Sequence, residues 1–173
     1  VLLSSPEVFM AGHATTITAQ NGTDSDTNLF LSYTADGTEY VALYNSSNAA
    51  RIFGGWKYPA AGVSTTGTAT SLTIRSGKVD SLRGSSKAVD GSSIASATIH
   101  VEGGTVGIVA SGWYYNQSVQ TFHVRVSGGT VGTIYGNGET SYTASASMPA
   151  GFVPTVDTAN IEISGGTVGF VYG

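Results

Sequence analysis

Apolar and polar residues alternate along much of this chain at a period of two. The alternation is sharpest in Leu72/Ile74, Ile99/Val101, Val124/Val126 and Ile161/Ile163. Each pair runs into a glycine-containing turn, and Val79/Leu82, Val106/Val109, Val131/Ile134 and Val168/Val171 follow. Period two marks a strand with one buried face, because successive side chains leave a strand on opposite sides. No stretch shows the helical period, and 24 glycines weigh against helix. The expected class is all-β.

Aligned on one glycine, four segments superpose: SLTIRSGKVDSLRG (71–84), TIHVEGGTVGIVAS (98–111), HVRVSGGTVGTIYG (123–136) and NIEISGGTVGFVYG (160–173). Their anchors, Gly77, Gly104, Gly129 and Gly166, stand 27, 25 and 37 residues apart. A degenerate copy, YNSSNAARIFGG (44–55), puts Ile52 in the Leu82/Val109/Ile134/Val171 column, and EVFMAG (7–12) matches only the end of the motif. One strand–turn–strand unit cannot bury its own apolar face, whereas units stacked as parallel strands can. The pattern therefore predicts a parallel β-helix (β-solenoid) of about five or six coils. Residues 71–173 form its regular repeats, and 1–70 a less regular part of the same solenoid, with a hairpin at Ala35-Asp36-Gly37.

These repeats resemble a right-handed parallel β-helix of the pectate-lyase-like kind. They are more closely similar to the GGTVG-x-[IV]-Y-G repeats of large bacterial surface and adhesin-like proteins. The resemblance covers 71–173 well and 1–70 poorly, and it is specific for architecture rather than for activity. It implies an extracellular or cell-surface structural protein, not an enzyme.

The alignment also assigns columns. Phe53, Arg83, Ala110, Tyr135 and Tyr172 form an outward, partly aromatic stripe; Asp80, Gly107, Gly132 and Gly169 are expected at a tight corner. The insert 137–158, with Pro149 and Pro154, is expected to project as a loop.

Two further outward columns carry the candidate chemistry: Thr73/His100/Arg125/Glu162 and Arg75/Glu102/Ser127/Ser164. One reading makes this face a carbohydrate-binding or polysaccharide-cleaving, lyase-like site, with His100, Glu102 and Arg125 beside an aromatic insert, Trp113, Tyr114 and Tyr115, able to stack on sugar rings. The plainer reading is charge pairing between coils, Arg75 over Glu102 and Arg125 over Glu162. Asp24-x-Asp26-x-Asn28 spaces oxygen ligands as calcium loops do, but lacks the sixth-position glycine and the distal glutamate. A polar loop is expected there, with calcium as the alternative; no other cofactor is implied.

Composition narrows the partners. Seven scattered Lys and Arg against eleven Asp and Glu, a net charge of −4, lack the clustered basic face that nucleic acid needs. No apolar run is long enough to span a membrane as a helix. Without cysteine there is no thiol chemistry. The opening VLLSSPEVFMAG reads as the start of a mature or excised chain. Neither end shows a capping element, so Val168, Val171 and Tyr172 are expected to meet another copy, through the solenoid ends. Glycans are the other expected partner.

Overall fold

A computed structural model describes residues 2–57, 65–87, 93–113, 118–137 and 155–173. Fourteen strands and, among the described residues, no helix build two sheets. Tyr114, Tyr115 and most of the 137–158 insert lie outside the described residues.

From β7 onward the chain crosses between the sheets at every step. Strands β7 (Ala69–Ile74), β9 (Ser93–Val101), β11 (Ser118–Val126) and β13 (Val156–Ile163) lie side by side in one sheet. Their sequels β8 (Lys78–Arg83), β10 (Thr105–Ala110), β12 (Thr130–Tyr135) and β14 (Thr167–Tyr172) lie side by side in the other. The second sheet continues through β6 (Ala50–Phe53) to β2 (Glu7–Phe9), giving six strands, all parallel.

The first sheet is longer and mixed. Beyond β7 it adds β3 (Thr15–Ala19), β4 (Leu29–Ala35), β5 (Thr38–Tyr44) and the edge strand β1 (Leu2–Leu3), for eight strands. Here the architecture departs from uniform parallel stacking, because β3–β4 and β4–β5 pair antiparallel. The cause is local. Asp36 and Gly37 both take positive φ, 50° and 74°, so Ala35 pairs with Thr38 across a two-residue turn and the chain folds back on itself. The two reversals cancel, so β1 and β5 run in the same direction as β3, β7 and β13.

The columns read from the sequence appear as strand register. Val8, Ile52, Leu82, Val109, Ile134 and Val171 succeed one another across the short sheet. Leu72, Ile99, Val124 and Ile161 do so across the long one. Their side chains fill one core between the sheets, with Ile161 packed at its margin and Val171 exposed.

The paired glycines answer two separate demands. The anchors Gly77, Gly104, Gly129 and Gly166 have φ between 73° and 96°, where a side chain is strained. The glycine before each of the last three faces a different obstacle. A Cβ on Gly103, Gly128 or Gly165 would run into the carbonyl oxygen of Arg75, Glu102 or Ser127, one coil earlier. The first coil carries Ser76 instead, and its Oγ accepts the Ala19 N–H at 2.9 Å.

The supposed corner glycines need a correction. Asp80, Gly107, Gly132 and Gly169 sit inside β8, β10, β12 and β14. Ala50 pairs with Val79 and Arg51 with Ser81, leaving Asp80 as an extra, bulged residue. The bulge resets the alternation, so Val79 and Leu82, three apart, both point inward and are buried. Later coils keep the crowding: a Cβ on Gly107, Gly132 or Gly169 would lie 2.5, 2.6 or 2.5 Å from the carbonyl oxygen one coil earlier.

Candidate functional site

The outer face of the long sheet gathers the polar side chains singled out in the sequence. Thr73, His100, Arg125 and Glu162 stand in register on β7, β9, β11 and β13. Arg75 Nε lies 2.9 Å from Glu102 Oε2, and Arg125 Nε 3.6 Å from Glu162 Oε1. Both coil-to-coil charge pairs are therefore present. Both pairs are also open to water, where such contacts contribute typically below about 1 kcal/mol.

His100 has a more specific setting. Its Nδ1 lies 3.3 Å from Glu102 Oε1, and its Nε2 lies 3.0 Å from Ser127 Oγ. Glu102 thus bonds Arg75 through one oxygen and faces His100 with the other. Ser127, aligned in the column of Arg75 and Glu102, stands 27 residues from His100, and the strand register brings the two side chains together. Further along the same face, Asn160 Nδ2 lies 3.4 Å from His123 Nδ1. There His123, Arg125, Asn160 and Glu162 border an open concavity of about 530 Å³.

Trp113 belongs elsewhere. The structure separates it from His100, Glu102 and Arg125, because it follows β10 and packs on side chains of the short sheet. Its ring lies 4.2 Å from the Arg83 guanidinium carbon, 5.2 Å from that of Arg51, and 6.3 Å from the Phe53 ring centre. The stripe expected to face outward is consequently covered over half its length: Phe53, Arg83 and Ala110 are buried. Arg83 donates from Nη1 to the Gly112 carbonyl at 2.7 Å and from Nε to Ser81 Oγ at 3.2 Å. Only Tyr135 and Tyr172, stacked with ring centres 5.3 Å apart, keep an exposed part.

Asp24 and Asp26 have different settings. Asp26 is buried, and its oxygens accept from the backbone N–H groups of Asn21 and Asn28, each at 3.0 Å, and from Asn28 Nδ2 at 3.3 Å. The Asn28 N–H, followed by that of Asn21, holds its pKa below the usual aspartate value. Asp24 is exposed. The loop uses Asp26 to organise its own backbone, and the described residues contain no cluster of three or more His, Asp or Glu able to hold a metal.

The residues assigned to self-contact lie in the last pair of strands. Val168 is half-buried, while Val171 and Tyr172 are exposed together with Phe170 and Ile163. The chain matches no protein-family model, no curated protein and no solved structure.

Proposed function

We propose that this chain is a structural protein of the extracellular space or cell surface. In this reading it is a β-solenoid whose coils stack head-to-tail on further coils, as the subunit of a surface filament or a section of an adhesin-type stalk. The carrying observation is the contrast between two successive coils of the same sequence motif. Ile134 and Val126 are 0% exposed, whereas their register partners Val171 and Ile163 are 47% and 48% exposed. An apolar layer with unpaired strand edges is a template for one more parallel coil.

The opposite tip supports the same reading. There β1 and β2 run in the same direction as β13 and β14, so the strand directions at the two tips match for parallel addition. Leu3, Phe9 and Tyr33, with Glu7 and the buried Val8 and Met10, line a concavity of about 310 Å³ at that tip. One further step along the short-sheet columns seats Val171 on Val8 and Tyr172 beside Phe9 of the next copy. Such a contact does not close on itself, so it propagates.

Electron microscopy of concentrated protein tests this reading. Unbranched fibres are expected, with a subunit rise of roughly 30–40 Å, six to eight strand spacings. Particles that remain single at every concentration would contradict self-stacking. A second reading, binding of a glycan along the long sheet, draws on the concavity beside His123, Arg125 and Glu162. Retention on a polysaccharide column that is lost in Arg125→Ala would favour it.

A further inference from the structure

Three side chains from two neighbouring coils form a line at the turn end of the long sheet. His100 comes from β9, Glu102 follows that strand, and Ser127 follows β11. The Ser127 N–H is bonded to the Val101 carbonyl at 2.9 Å, which fixes this serine one coil beyond Glu102. From there its Oγ reaches His100 Nε2 at 3.0 Å, while His100 Nδ1 faces Glu102 Oε1 at 3.3 Å.

With the hydrogen of neutral His100 on Nδ1, the ring turns its N–H side toward Glu102 Oε1, 3.3 Å away, and an ionised carboxylate there favours that tautomer. Nε2 then bears the lone pair and accepts the Ser127 hydroxyl hydrogen. Glu102 is itself anchored, because its Oε2 takes the Arg75 Nε–H at 2.9 Å. A hydroxyl bonded to an imidazole whose far nitrogen is oriented by a carboxylate is the arrangement of an activated serine nucleophile. Ser127 is exposed, so a substrate reaches it directly. Neighbouring coils break the set, with Thr73 beside Arg75 on one side and Glu162 beside Ser164 on the other.

We propose that Ser127, His100 and Glu102 form an acyl-transfer centre that hydrolyses small, unhindered O-acyl esters, with Glu102 as the positioning residue. Ser127 Oγ attacks the ester carbonyl carbon as its proton passes to His100 Nε2. The bond from that carbon to the alkoxy oxygen breaks, and the departing alcohol takes the proton from Nε2. Water then adds to the acyl-serine in the same way, releasing the carboxylic acid and restoring the hydroxyl. Nothing beyond water is consumed, and the inference is independent of whether copies stack.

The test uses the full chain with p-nitrophenyl acetate and, separately, a fluorophosphonate that labels activated serines. Labelling is expected at Ser127, located by peptide mass mapping, and is expected to vanish in His100→Ala. Hydrolysis is expected to fall roughly a hundredfold in Ser127→Ala and in His100→Ala. Glu102→Gln is expected to lower the rate and to alter the pH–rate profile set by His100, which a merely structural change at an exposed site would not do. No label on Ser127 would overturn the proposal. So would hydrolysis lost in His100→Ala but unchanged in Ser127→Ala, since an imidazole alone then accounts for it. Circular dichroism of each variant separates these outcomes from loss of fold.

Discussion

The Arg83 guanidinium lies against the Trp113 ring, 4.2 Å from its centre, although one residue ends β8 and the other follows β10. Arg83 is 1% exposed, so its charge is held by this ring and by oxygens such as the Gly112 carbonyl rather than by water. Trp113→Ala removes the cover and opens a polar, poorly packed patch over Phe53. A loss of roughly 2–4 kcal/mol is expected in urea unfolding. A Trp113 whose business were stacking on sugars would leave stability unchanged when truncated.

Gly128 and Gly129 are expected to fail for different reasons. Gly129→Ala imposes a left-handed backbone on a side chain and drives its Cβ toward the Gly103 and Gly104 backbone, at 2.6 Å. Gly128→Ala keeps an ordinary backbone but pushes its Cβ into the Glu102 carbonyl. Each is expected to cost about 1–3 kcal/mol, read as a drop in melting temperature. Gly37→Asn, at an open hairpin turn with nothing within 4 Å of a built Cβ, is expected to be tolerated.

Glu162→Gln removes one partner of an exposed pair that spans 3.6 Å to Arg125. Stability is expected to change by less than about 0.5 kcal/mol, and less still in high salt. Val131→Asp, by contrast, places a charge in the closed core beneath β14 and is expected to prevent folding. Soluble expression and circular dichroism check both.

Acid has a defined target in Asp26. Its folded pKa is depressed by the Asn28 and Asn21 N–H groups, so its contribution is complete above the unfolded value of 3.8 and is lost as pH falls through the folded value. Asp26→Asn is expected to flatten that part of the stability profile below about pH 4. Urea midpoints measured across this range, for both proteins, check the sign.

Legibility in the sequence followed from repetition. Ile52, Leu82, Val109, Ile134 and Val171 could be aligned because each coil presents the same side chain to the same layer, and the register bears that out. Contacts made once were not legible. Nothing in the spacing announces that Lys87 reaches back 80 residues to clasp Glu7 at 2.7 Å, or that Trp113 shelters Arg83. Nor does alternation reveal that β3, β4 and β5 stay in one sheet, since a hairpin and a crossover bury the same faces. At the candidate site His100, Glu102 and Ser127 were all visible as columns, while the diagonal contact from His100 to Ser127 was not.

The central claim is that the last coil of one copy docks in register on the first coil of another, and the absence of cysteine makes that claim directly measurable. Phe9→Cys and Tyr172→Cys introduced together place the two sulfurs on adjacent parallel strands, within disulfide reach across the joint. Oxidation is expected to give a ladder of dimers, trimers and longer species on a non-reducing gel, whereas either cysteine alone meets a native side chain across the joint and gives no ladder. A double variant that stays monomeric, or that forms only dimers, would contradict head-to-tail stacking.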